Sequence, residues 1–92
     1  DAAVSERIGM IWKVVPDAAL MDEARTLATR LATQPTKGLA SIKRLITAAS
    51  ANSLDSQLDL ERDAQRELGR SHDYREGVRA FLGKRKPEFR GN

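Results

Sequence analysis

The side chains best suited to bind an anion lie in the last thirteen residues, AFLGKRKPEFRGN. Three consecutive cations, Lys84 to Lys86, lie there between Phe81 and Phe89. Residues 79–92 hold five basic residues and one acidic residue, a local charge of +4. The whole chain carries +3, so the first 78 residues sum to −1. The positive charge is therefore a local feature of the C-terminus.

This C-terminal segment has three interpretations. It could be a solvated basic end, with Phe81 in the core and Phe89 as an anchor. It could be a nucleic-acid arm, since cations bind phosphates and aromatic rings stack on bases; against this, three adjacent cations form a small footprint on a slightly acidic chain. It could bind one phosphorylated small molecule with an aromatic base, with Phe81 as apolar surface and Lys84 at a phosphate. Composition alone favours the first.

The sequence contains few residues that could form a catalytic site. His72 is the only histidine, and its neighbours Ser71 and Asp73 point away from it on a helix, so the three cannot form a triad. No glycine-rich phosphate loop is present. There is no cysteine, which excludes disulfides and cysteine-based metal sites. We therefore expect no catalytic residue and no metal site in this chain.

Composition predicts helices with thin contact faces. Of 92 residues, 40% are hydrophobic but only 4% aromatic. The β-branched residues cluster in IGMIWKVV, and one short segment cannot form a sheet by itself. No apolar run approaches the roughly 18 residues that span a bilayer, so we expect no membrane partner. The absence of cysteine fits a cytoplasmic location.

Hydrophobic periodicity predicts an all-α fold of four to five helices with one short extended segment near the N-terminus. Gly9 should end the first helix in a left-handed conformation. Asp17, Thr36 and Ser53 are the predicted N-caps of the next three helices. The predicted helices begin after Asp1, at Asp17 (to residue 33), at Thr36 (to about Ser50), at Ser53 (to Gly69) and at Ser71 (to Gly83).

Each long helix has a predicted apolar face. The four faces comprise Leu20, Ala24, Leu27, Ala28 and Leu31; Leu39, Ile42, Leu45, Ile46 and Ala49; Leu54, Leu58 and Leu68; and Tyr74, Val78, Phe81 and Leu82. The charged stretch DLERDAQRE favours a solvated surface with ion pairs three and four residues apart. A polar subunit contact is its alternative interpretation.

Two long segments of the chain resemble the C-terminal third of the enoyl-CoA hydratase/isomerase (crotonase) superfamily. They are RIGMIWKVVPDAALMDEARTLATRLATQPTKGLASIKRLI and LDLERDAQRELGRSHDYREGVRAFLGKRKPEFRGN. The residues that carry the resemblance are Gly9-Met10, Val14-Val15-Pro16, Lys43, Ser71, Asp73, Glu76-Gly77, Ala80-Phe81, Lys84-Arg85, Pro87 and Phe89.

The resemblance implies that residues 1–92 form the helical C-terminal domain, which borders the coenzyme A site and builds a trimer or hexamer. The catalytic ββα-spiral core, with its oxyanion hole, would lie upstream, so this chain alone should be inactive. By the same resemblance, Phe81 contacts the adenine end of coenzyme A and Lys84 a phosphate. Arg85, Lys86 and Arg90 remain as surface charges. No cofactor is implied, because the coenzyme A thioester carries the substrate.

Gln65 occupies a position where many hydratases of the superfamily carry an aromatic residue that lines the acyl-CoA site. The surrounding sequence is more similar to the bacterial phenylacetate-degradation branch, whose isomerases rearrange a ring-epoxide thioester to an oxepin-CoA. The resemblance therefore favours an isomerase over a plain hydratase. The alternative is an independent helical module that binds nucleic acid or a protein partner through its basic tail.

Overall fold

A computed structural model describes all 92 residues and contains five α-helices and one 3-10 turn, without a β-strand. The elements are α1 (Ala2–Arg7), the 3-10 turn (Asp17–Ala19), α2 (Leu20–Ala32), α3 (Thr36–Ala49), α4 (Leu54–Leu68) and α5 (His72–Leu82). The predicted all-α fold is confirmed, and IGMIWKVV is a connection rather than a strand. None of the helices has the length and apolar character that crossing a bilayer requires.

Of the three predicted N-caps, Ser53 is confirmed, and Ser71, where the last helix was predicted to begin, is a cap as well. The hydroxyl of Ser53 accepts a hydrogen bond from the backbone N–H of Ser56 over 3.3 Å. The hydroxyl of Ser71 accepts one from the backbone N–H of Tyr74 over 3.0 Å. Each hydroxyl satisfies an N–H that the first helical turn leaves without a partner.

The other two predicted caps are wrong, because a proline takes the cap position in each case. Pro16 precedes the 3-10 turn and Pro35 precedes α3, both with extended backbone angles. Asp17 and Thr36 are consequently the first residues inside their helices, and their side chains do not cap. Proline suits this boundary because its fixed φ and absent N–H end the extended approach to a helix.

Residues 1–30 form one compact unit. Asp1 caps α1 by accepting the backbone N–H of Val4, and Gly9 follows the helix in the predicted left-handed conformation, with φ of +75°. The extended connection is tied to α2 by an ion pair between Lys13 and Glu23 over 2.9 Å. The Trp12 side chain in this connection is exposed.

Residues 31–92 form the second unit, and α3 and α4 pack against each other within it. The side chain of Gln57 donates to the backbone carbonyl of Leu45 over 3.2 Å, and Lys37 pairs with Glu67 over 3.1 Å. Because later residues of α4 contact earlier residues of α3, the two helices run antiparallel. Small side chains line the contact, where Ser41 and Ala64 are buried.

The predicted interior faces of α3 and α4 are partly wrong. Ile42, Ile46, Leu54 and Leu58 are all at least half exposed, and no large side chain of the chain is fully buried. The helices meet instead on small residues such as Ala64, which places their larger apolar residues on the flanks. The unit therefore presents to solvent the surface that the periodicity assigned to a core.

The charged stretch of α4 matches the predicted solvated surface. Arg62 pairs with Asp59 over 2.6 Å and with Asp63 over 3.0 Å, and Arg66 pairs with Asp63 over 3.3 Å. All of these side chains are more than half exposed, so water screens the pairs and they add little to stability.

Candidate functional site

The C-terminal segment turns back along α5, and Asp73 at the start of that helix holds its end. The Asp73 carboxylate accepts the backbone N–H groups of Arg90 and Gly91, each over 2.7 Å. Its own backbone N–H donates to the carbonyl of Asn92 over 3.0 Å. Asp73 is buried, so these hydrogen bonds replace the water that the carboxylate loses.

The environment of Asp73 stabilises its charge. Burial acts to raise the pKa of Asp73, but the Arg90 N–H, the neighbouring His72 ring and the Gly91 N–H outweigh it and hold the pKa below its ordinary value. The His72 Nδ1 lies 3.2 Å from the carboxylate, so the expectation that Asp73 points away from His72 is wrong. Asp73 therefore acts as an ionised acceptor for the chain terminus.

Glu76, one turn further along α5, holds the first part of the segment. Its two carboxylate oxygens accept hydrogen bonds from the two terminal nitrogens of Arg85 over 2.6 and 2.9 Å. The Glu88 backbone N–H adds a third hydrogen bond over 2.9 Å. The Arg85 pairing and the Glu88 N–H lower the pKa of Glu76 to about 2. Arg85 is exposed, as expected of a surface charge, and it is also bound in a bidentate ion pair that the sequence did not predict.

Two glycines lie at the contacts of this segment, and Gly91 is the one whose position excludes a Cβ. A Cβ on Gly77 would lie 3.6 Å from the Phe89 ring, so the ring covers the helix at that residue. Gly91 has φ of +80°, and a Cβ there would collide with the Thr36 hydroxyl. The segment thus lies against both α5 and the start of α3.

The C-terminus of α5 is closed by a Schellman motif. The backbone N–H of Lys84 donates to the carbonyl of Phe81 over 3.2 Å, and that of Arg85 to the carbonyl of Ala80 over 3.0 Å. The left-handed position of the motif is occupied by Lys84, with φ of +49°. Glycine is the usual residue there, since a Cβ in this conformation costs roughly 1–2 kcal/mol.

The two predicted site residues lie next to each other at this end of α5. Phe81 is 83% exposed, so it is not a core residue. The Lys84 side chain is exposed and forms no ion pair. The geometry therefore leaves an aromatic face and a free cation at one helix end, a pairing that suits a stacked base and a phosphate.

Phe81 also lines an apolar groove of about 470 Å³ in the second unit. Its walls come from Pro35 and the start of α3, from α4, from α5 and from the C-terminal segment. They include Pro35, Gln65, Leu68, Tyr74, Val78 and Phe89. The predicted face of α5 is confirmed as a shared face, although it lines an open groove rather than a core.

Sequence reasoning missed the functions of Asp73, Glu76 and Arg85 as the contacts that fix the terminal segment. Their partners lie nine to eighteen positions away and include backbone N–H groups, which leave no pattern in a sequence. One signal was available in the sequence: Asp73 and Glu76 are three positions apart in α5, and the basic segment follows that helix. Two acidic side chains on one side of the helix could therefore bind the segment.

Comparison with known proteins assigns the chain to a family. The family model for enoyl-CoA hydratase/isomerase matches residues 1–92, which is the whole chain. The chain therefore belongs to the enoyl-CoA hydratase/isomerase family, as its closing motif indicated.

The chain is similar to individual members of this family, both in sequence and in structure. The chain is 64% identical over 83 residues to the 1,2-epoxyphenylacetyl-CoA isomerase of Escherichia coli K12, covering 90% of this chain and 32% of that protein. It resembles the crystal structure of an enoyl-CoA hydratase from Polaromonas sp. JS666, with a TM-score of 0.93 and 38% identity over 98% of this chain and 35% of that one. The enoyl-CoA hydratase EchA1 of Mycobacterium marinum gives a TM-score of 0.89 and 28% identity, over 100% and 38% of the two chains. The chain spans about a third of the length of the curated relatives it matches.

Proposed function

We propose that this chain is the C-terminal part of an acyl-CoA isomerase that converts a ring-epoxide of phenylacetyl-CoA to an oxepin-CoA. The observation that carries this proposal is the 64% identity to the E. coli 1,2-epoxyphenylacetyl-CoA isomerase. The solved hydratases named above are 28% and 38% identical. Gln65 in the groove wall, where the resemblance gives many hydratases an aromatic residue, also favours the isomerase.

Within that enzyme, Phe81 borders the adenine of coenzyme A and Lys84 binds a phosphate. The support comes from the other residues of the closing motif, most of which have internal partners. Asp73 and Glu76 bind the terminal segment, and Ala80 is buried at 1% exposure. The side chains of Phe81 and Lys84 remain exposed, and Lys84 has no ion-pair partner within the chain.

The chain also contributes to subunit assembly. Ile42 and Ile46 on α3 and Leu54 and Leu58 on α4 are exposed near the connection between these helices. A second copy of the enzyme would bury this apolar surface, which water otherwise contacts unfavourably. A trimer or a hexamer is the assembly that the family resemblance implies.

The chemistry belongs to a core upstream of these residues, and the chain alone is inactive. An isomerisation conserves atoms and electrons, so the proposed reaction consumes no oxidant, reductant or second substrate. The proposal includes no cofactor beyond the thioester that carries the substrate. The enzyme would act in the cytoplasm on acyl-CoA and would need neither nucleic acid nor a membrane as a partner.

Turnover by the full-length enzyme tests the proposal. The purified protein should convert 1,2-epoxyphenylacetyl-CoA to oxepin-CoA with a higher kcat/KM than it shows for hydration of crotonyl-CoA. Oxepin-CoA has the mass of its substrate, so chromatography and absorption follow the rearrangement, whereas hydration adds the mass of one water. Both rates can therefore be measured on one preparation. Efficient hydration without epoxide rearrangement would contradict the isomerase assignment and leave the family assignment intact.

A further inference from the structure

Lys84 is the only residue other than glycine with a positive φ in this chain. A side chain held in this unfavourable conformation requires contacts that enforce it. The residue that follows, Arg85, supplies two of them: its backbone N–H donates to the Ala80 carbonyl and its guanidinium is bound by Glu76. We propose that the Arg85–Glu76 ion pair is a positioning device that fixes Lys84 for coenzyme A, an inference that rests on the proposed function of Lys84.

Hydrogen bonds restrain the backbone on both sides of Lys84, and the Arg85–Glu76 ion pair acts on the side that follows it. Gly83, before it, is fixed by a hydrogen bond from its N–H to the Arg79 carbonyl over 2.9 Å. Arg85, after it, is attached to α5 by its main chain and by its side chain. The backbone of Lys84 therefore has little freedom, while its ammonium group extends into solvent.

Glu76, the acidic partner of the ion pair, is held by further contacts, although Arg85 is 48% exposed. The Glu76 side chain is 12% exposed and already accepts the Glu88 N–H. One Arg85 nitrogen also donates to the Lys86 carbonyl over 3.0 Å, which ties the residues beyond Lys84 to the same ion pair. Fixing a long cationic side chain at its base lowers the ordering cost that phosphate binding would otherwise incur.

A merely structural ion pair would behave differently from a positioning one. Loss of a structural pair would weaken the whole segment and would change KM for every substrate, or lower kcat. Loss of a positioning pair would change only the binding of molecules that reach Lys84. Acyl-CoA has the nucleotide and the phosphates, whereas the matching acyl-pantetheine lacks both, so the two substrates separate the cases.

The experiment is a double-mutant cycle in the full-length enzyme, with Glu76→Gln and Lys84→Ala alone and together. Arg85→Lys is a second variant that disrupts the same ion pair, because it keeps the positive charge and removes the bidentate geometry. We expect Glu76→Gln to raise KM for acyl-CoA about threefold to tenfold, in the range of a charged hydrogen bond, and to leave kcat unchanged. KM for acyl-pantetheine should not change. In the Lys84→Ala background, Glu76→Gln should have no further effect, because its target is absent.

The results separate the positioning role of the Arg85–Glu76 pair from the proposed binding of coenzyme A by Lys84. Equal effects of Glu76→Gln in both backgrounds, or an equal rise in KM for acyl-pantetheine, would overturn the positioning role and leave Lys84 as a ligand. A wild-type KM in the Lys84→Ala enzyme would remove Lys84 from the coenzyme A site and overturn both proposals. If Glu76→Gln does not fold, the same criteria apply to Arg85→Lys.

Discussion

Asp73 and Gly91 are eighteen positions apart, and the Gly91 N–H donates to an Asp73 carboxylate oxygen over 2.7 Å. Gly91 occupies this position with φ of +80° against the Thr36 hydroxyl. This contact makes the C-terminal residues a fixed part of the helical unit rather than a frayed basic tail. It also links the start of α5 to the start of α3.

The Gly91→Ala substitution should release this end of the chain. A Cβ there collides with Thr36 and must also adopt a left-handed φ, which together cost about 1–2 kcal/mol or more. Amide hydrogen exchange of residues 88–92 in the intact protein should become roughly 5–30 times faster.

Gly38→Ala is the matched control for that substitution. Gly38 lies within α3, and a Cβ there would meet Pro35 at an ordinary distance of 3.9 Å. Helix propensity then stabilises the variant by about 0.5–1 kcal/mol. Equal exchange rates in the two variants would show that the fixed terminus does not depend on Gly91.

Acid should release the C-terminal segment. Glu76 has a pKa of about 2 in the folded chain, below its ordinary value of 4.5, and the pKa of Asp73 is also lowered. A lowered folded-state pKa gives stability that is complete above the ordinary pKa and is lost as the pH falls towards the folded one. Protection of the Glu88 amide should therefore decline between about pH 4.5 and pH 2.

The Glu76→Gln variant should lose most of this pH dependence at the Glu88 amide, with the remaining part due to Asp73. The readout is hydrogen exchange corrected for the intrinsic effect of pH. Constant protection of Glu88 from pH 6 to pH 2 would contradict the assignment of this amide to the Glu76 carboxylate.

Replacing Lys84 should separate its backbone from its side chain. Lys84→Gly relieves the left-handed conformation, whereas Lys84→Ala retains the Cβ and its cost. The glycine variant should therefore be about 1 kcal/mol more stable than the alanine variant, as measured by thermal melting of the intact protein. Equal stability would show that position 84 does not keep its left-handed backbone in solution.

Ile46→Glu should weaken the proposed assembly. Ile46 is 69% exposed within the chain, and a carboxylate buried at a subunit contact would lose its water without a partner. Sedimentation of the intact enzyme should shift from a trimer or hexamer towards smaller species. Ile46→Val keeps the site apolar and should preserve the assembly. Unchanged sedimentation of Ile46→Glu would place the contact elsewhere.

Local signals predicted the helices well because each depends on nearby residues. Ser53 and Ser71 bind N–H groups three positions away, and Gly9 needs only its own backbone freedom. The errors at Asp17 and Thr36 are also local, since the preceding prolines displaced the caps.

The candidate site was predictable only in part. Phe81 and Lys84 were selected by a family resemblance, and charge counting left the tail ambiguous. The contact between Arg85 and Glu76 was missed, since the turn after α5 that brings them together is set by the main-chain hydrogen bonds of Lys84 and Arg85. The exposure of Ile46 was missed because periodicity shows that a face is apolar, not what covers it.

The most direct test of the proposed coenzyme A site compares Lys84→Ala with Lys86→Ala in the full-length enzyme. Both remove one cation from the same exposed turn, but only Lys84 is assigned to coenzyme A. We expect Lys84→Ala to raise KM for acyl-CoA roughly fivefold to tenfold with a smaller change in kcat, as loss of one charged hydrogen bond should. Lys86→Ala should have no effect on KM. Equal KM values for the two variants would contradict the proposed coenzyme A site.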